Sequence, residues 1–167
     1  MIKIGKYISS FSKHSCQPKT KIELKSIIDA RIAKEGLNCD LNDIDTSLIT
    51  DMDGLFYDSK FNGDISKWDV SKVKYMPYMF YKSEFNGDIS KWNVSNVVTM
   101  HGMFERSKFN RDISGWNVSK VKYMYSMFLV SKFNQDISRW KINKDCDTNL
   151  MFSCCPIKEE HKPKTTR

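Results

Sequence analysis

The octet FNGDISKW occupies residues 61–68 and returns letter for letter at 85–92. Looser copies, FNRDISGW at 109–116 and FNQDISRW at 133–140, follow at the same 24-residue step. Recurrence at a fixed period of roughly 20–50 residues marks a repeat array, in which a unit buries its apolar side only by stacking on neighbours. The four tryptophans, Trp68, Trp92, Trp116 and Trp140, keep that step, and so do Phe56, Phe80, Phe104, Phe128 and Phe152. Run backwards, the period exposes a degenerate first unit, LNCDLNDIDTSLITDMDGLFYDSK, at 37–60. Five units result: 37–60, 61–84, 85–108, 109–132 and 133–156.

Within the second unit the apolar residues are Phe61, Ile65, Trp68, Val70, Val73, Met76, Met79 and Phe80. Steps of three from Val70 to Met79 fit neither a long helix nor an alternating strand. They predict a coil turning about an axis, with a short strand at 72–76, one or two helical turns at 77–83, and FNGDIS as the returning loop. Strands of successive coils would pair at ~4.8 Å. The expected fold is therefore an α/β repeat solenoid, a leucine-rich-repeat-like stack of five coils. Ahead of it, Thr20 and Glu23 have capping-box spacing, Leu24, Ile27, Ile28 and Ile32 form a helical stripe, and Gly36 follows as a stop. These predict a capping helix within 20–36, preceded by a basic arm over 1–19. Residues 157–167 hold proline and charge but little to bury, which predicts a mobile tail.

The pattern F-N-x-D-I-S-x-W-[DN]-V-S-x-V-x-x-M-x-x-M-F resembles the repeat of the BspA-like leucine-rich-repeat surface proteins, a bacterial module of unknown function. The resemblance covers 37–156, and the lead-in TKIELKSIIDARIAKEG is similar to the segment that precedes such repeats. It implies a stacked-coil fold, binding or adhesion without a shared ligand, and a place at the cell surface or in secretion. The N-terminus itself, MIKIGKYISSFSKHSCQPKTK, has lysines but no continuous apolar stretch and does not read as a signal peptide, which predicts the cytoplasm. No apolar run reaches the roughly 18 residues a membrane span needs.

Chemistry is sparse. A ladder of aspartates, Asp40, Asp64, Asp88, Asp112 and Asp136, could be read as a metal channel or as paired acids. Short polar side chains before a turn more often accept backbone N–H bonds, and Asn62, Asn86, Asn110 and Asn134 are read as turn residues too. Only His101 of the three histidines lies in the array, and no phosphate loop, H-E-x-x-H or G-x-S-x-G occurs. Five cysteines form an odd set without a C-x-x-C pair, which suits reduced thiols. No enzyme activity, cofactor or metal is expected.

The formal charge of +7 invites a nucleic-acid reading. Divided by segment it comes from the ends: 1–36 carry eight basic and three acidic residues, 157–167 four and two, and the units fifteen of each sign. What varies between coils is a stripe at Lys72, Lys74, Tyr75 and Tyr78, then His101, then Lys120, Lys122, Tyr123 and Tyr125. Cationic groups beside amphipathic rings suit an acidic protein surface and, less well in a neutral array, single-stranded nucleic acid. The expectation is a non-catalytic repeat protein that binds a protein partner through these nine residues; the alternatives are nucleic-acid binding through the basic N- and C-terminal arms, or a surface adhesin-type module.

Overall fold

The computed structural model describes residues 16–164, so most of the basic arm expected over 1–19, and residues 165–167, lie outside the described residues. The helix α1, Lys21–Glu35, begins where Thr20 caps it: the Thr20 hydroxyl accepts from the Glu23 N–H, and the Glu23 carboxylate accepts from the Lys19 N–H at 2.7 Å. It ends at Gly36, whose positive φ of 91° suits glycine and whose N–H closes on the Ile32 carbonyl. Leu24 and Ile28 are buried beneath it. Its charges meet the acidic first unit, with Arg31 on Asp43 at 2.8 Å and Lys21 at 3.4 Å from both Asp51 and Asp53.

The units lie one on another, and their turn segments carry the joining bonds. In each of the first four units, four alternate N–H groups donate to carbonyls of the next coil. In the second these are Met76, Tyr78, Phe80 and Lys82, which reach Thr99, His101, Met103 and Glu105 at 2.9–3.0 Å. Tyr81, between the last two, and Ser83, after them, donate within their own coil, to Tyr78 and Phe80. The alternation needs two left-handed residues per unit: Gly54, Tyr78, Gly102, Ser126 and Leu150 at one site, Asp58, Lys82, Arg106, Val130 and Cys154 at the other. A left-handed non-glycine residue costs about 1–2 kcal/mol. The turn they make buries a methionine and a phenylalanine such as Met79 and Phe80, each gaining about 1.5–3 kcal/mol. Burial wins.

This backbone corrects the expected α/β class. Among the described residues α1 is the only α-helix, and strand pairing is reduced to six isolated parallel bridges with no sheet. Four of them form one column, Asp51–Tyr75–Thr99–Tyr123–Asp147. The strand expected at 72–76 pairs only at Tyr75, because the left-handed Tyr78 turns the chain away three residues later. The helical turns expected at 77–83 are broken at Tyr78 and Lys82, where alternate N–H groups leave for the next coil. The leucine-rich-repeat-like α/β solenoid is not what forms; the coils are stacked turns.

Aromatic columns fill the interior. Phe56, Phe80, Phe104 and Phe128 stack with centroids 5.5–5.6 Å apart and planes within 8°. Phe61, Phe85, Phe109 and Phe133 make a second column at 6.2–6.4 Å. Each indole N–H finds a carbonyl in the preceding unit, as Trp92 does on Ile65 at 3.2 Å, so the buried donors are satisfied. The repeated aspartates accept from the N–H two residues on, Asp88 from Ser90 at 2.9 Å. The asparagines do something else: Asn110 N–H donates to Asn86 Oδ1 and Asn134 N–H to Asn110 Oδ1, a ladder between coils rather than a hold on one turn.

At the far end Pro156 takes the place of Glu84, Lys108 and Lys132, whose N–H groups donate back to the preceding coil. Proline has no N–H, so that ladder stops there. Residues 157–164 nevertheless do not sit as a segment with nothing to bury. Ile157 and Pro163 are buried, Glu159–His161 make a 3-10 turn, and the His161 carbonyl accepts from Ile137 at 3.0 Å.

Candidate partner-binding face

Val73 and Met76 are fully buried, so the residues between and before them, Lys72, Lys74 and Tyr75, face outward. Val121 and Met124 do the same for Lys120, Lys122 and Tyr123. Backbone bonds hold the face in register: Lys74 N–H on Thr50, Val98 N–H on Lys74, Lys122 N–H on Val98, all at 2.8–2.9 Å. Tyr75 and Tyr123 are 47% and 49% exposed, while Thr99 between them is 8% exposed, so the bridged column has two raised rings around a notch. Among the described residues Lys72, Lys74 and Lys122 have no carboxylate within ion-pair distance. Lys120 reaches Asn96 Oδ1 at 2.9 Å. These six of the nine stripe residues form a cationic, aromatic surface.

Tyr78, His101 and Tyr125 form a different group, half-buried on the turn side. His101 stacks on Tyr125 at 4.5 Å and meets Tyr78 edge-on at 4.9 Å. Its Nδ1 lies 2.7 Å from the Thr99 hydroxyl. Burial pushes the imidazole below its usual range, against the pull of Asp53, and raises the Tyr78 phenol, which Tyr125 and Glu105 raise further. Thr99 and His101 have the distance of a nucleophile and its base. Among the described residues, however, no carboxylate hydrogen-bonds the ring, and Thr99 is buried. The pair fixes the floor of the notch.

Residues missed by sequence reasoning complete this second group. Gly102 lies under the Tyr78 ring, in the left-handed region with φ 60°, and a Cβ there would collide with Tyr78. Tyr81 packs edge-on against Tyr78 at 5.9 Å and stacks on the half-exposed Tyr57 at 4.6 Å. Burial raises the Glu105 carboxyl, with Arg106 opposing. The one available signal was the glycine itself, standing where the preceding unit has tyrosine.

A separate cleft of about 370 Å³ lies between the last coil and residues 157–164, lined by Ile142, Leu150, Phe152, Glu159, Lys162 and Pro163 among others. It contains none of the nine stripe residues. Among the described residues no three His, Cys, Asp or Glu side chains are grouped to hold a metal ion, and no helix is long and apolar enough to cross a membrane.

Residues 24–128 match the model of a family described as "Mycoplasma protein of unknown function, DUF285", and residues 81–162 match it again. No curated protein and no solved structure matches the chain.

Proposed function

The chain belongs to the DUF285 family, whose description assigns no activity, and on that premise we propose that it is a non-catalytic module binding a protein partner through Lys74, Tyr75, Lys122 and Tyr123. The observation that carries the reading is the pair of half-exposed tyrosines, each beside lysines that form no ion pair among the described residues, on a molecule whose tryptophans and repeat phenylalanines are almost all buried. Large aromatic rings beside cations supply contact area at low entropic cost. Five free thiols favour a reducing compartment, so the cytoplasm is the proposed setting. An adhesin-type role at the surface, implied by the BspA-like resemblance, is the alternative.

The test is a variant carrying K74Q, Y75A, K122Q and Y123A together. Partner capture from extracts of the source cells should fall at least about tenfold. The thermal midpoint should move by no more than about 2 °C, because none of the four side chains is buried. Undiminished capture overturns the face.

A further inference from the structure

Resting on that reading, we infer that the face is bidentate and recognises an acidic segment in the polyproline II conformation, with carboxylates three residues apart. The hexapeptide SKVKYM at 71–76 recurs unchanged at 119–124, two units later. The unit between reads SNVVTM at 95–100, with both lysines and the tyrosine replaced by Asn96, Val98 and Thr99. The chain thus carries two identical Lys-Tyr clamps separated by one coil that is uncharged at the same three positions.

Their separation is set by the stack. The bridges Tyr75–Thr99 and Thr99–Tyr123, with the backbone bonds of Lys74, Val98 and Lys122, keep the clamps in line along its axis. Two steps of ~4.8 Å put them about 10 Å apart. A polyproline II segment has three residues per turn and rises ~3.1 Å per residue, so side chains three apart share a side at about 9 Å. A β-strand shows one side at steps of ~6.7 Å and ~13 Å, which straddle the span. Aromatic rings flanking a notch are also the surface on which proline-rich segments dock.

Charge selects the rest. Lys74 and Lys122, without an ion-pair partner among the described residues, offer cations to two carboxylates. Asp147 closes the column at one end and repels acid placed beyond the second clamp, while Asp51 at the other end is paired with Lys21 at 3.4 Å. A short segment with two acids fits this arrangement; a nucleic acid, charged at every residue, would run on past the clamps to Asp147.

Labelled peptides containing EPPE, EPE, EPPPE and QPPQ, a helical peptide with two glutamates seven residues apart, and oligothymidylate distinguish the cases by fluorescence anisotropy with the whole chain. EPPE should bind at least about tenfold more tightly than every other probe. Either K74Q or K122Q alone should bring EPPE down to the level of EPE. Equal binding of all acidic peptides, or tighter binding of the helix or of oligothymidylate, overturns the inference. If EPPE shows no preference while the fourfold variant still loses its partner, the inference falls and the proposed face stands. If neither EPPE binding nor partner capture responds to substitution, both fall.

Discussion

The Tyr78 ring rests on Gly102, one unit further along, and fills the space a side chain there would need. Tyr78 in turn meets His101 edge-on, and His101 reaches Thr99 in the notch. A contact from the preceding coil therefore reaches, through His101, the floor of the notch beside it.

Gly102→Ala should destabilise the protein by about 2–4 kcal/mol, combining the cost of a left-handed alanine with the collision. Denaturant unfolding measures it. Gly102→Asn, which tolerates the conformation but keeps the collision, should recover only part. Combining Gly102→Ala with Tyr78→Ala should cost less than the sum of the single changes, since the second removes the colliding ring.

Gly63→Ala should be costly for another reason. A Cβ there would strike the Cys39 carbonyl and the Phe61 ring, backbone and core that yield little. A loss of about 1–3 kcal/mol is expected. Gly115→Ala, with nothing within 4 Å, is the control and should be neutral or slightly stabilising. Equal midpoints for the two variants would contradict the packing at the first coil junction.

Acid should act in two windows. Hydrogen bonds from the Ser66, Ser90 and Ser114 backbone N–H groups, helped by the serine hydroxyls, hold Asp64, Asp88 and Asp112 below the ordinary carboxylate range. Their stabilisation is complete above the unfolded value near ~3.9 and is lost as pH falls through the lower folded values. His101, depressed by burial, contributes fully above its unfolded value near ~6.5 and loses that contribution as pH falls toward its folded one. Thermal midpoints from pH 8 to pH 3 should decline in two stages, and His101→Gln should abolish the upper one.

Trp92→Phe should cost about 1–3 kcal/mol, because it removes indole area from the column and leaves the Ile65 carbonyl without its side-chain donor. Lys91→Ala next to it, on an exposed side chain, should change stability by less than about 0.5 kcal/mol.

The period, the aromatic columns and the aspartate turns were legible because each is a residue type returning every 24 positions. The backbone between them was not. Its left-handed sites carry glycine only at Gly54 and Gly102, and elsewhere hold Tyr78, Lys82, Ser126 or even the β-branched Val130, none of which signals such a turn. With that signal missing, the lysine-rich segment KVKYM reads as a strand. The face was half legible for a related reason. Tyr75 and Tyr78 look alike in the sequence, yet one projects and the other folds over, and the difference lies in Gly102, 24 residues later.

The bonds that join one coil to the next repeat with nearly constant length from the first junction to the fourth. The molecule is thus a ruler graduated in coils, and distances along its face come in whole divisions. Excising residues 85–108 would rejoin matching edges and bring the two clamps from two divisions to one. Duplicating them would move the clamps to three. Spacing on this surface can change in integer steps while every contacting residue stays the same.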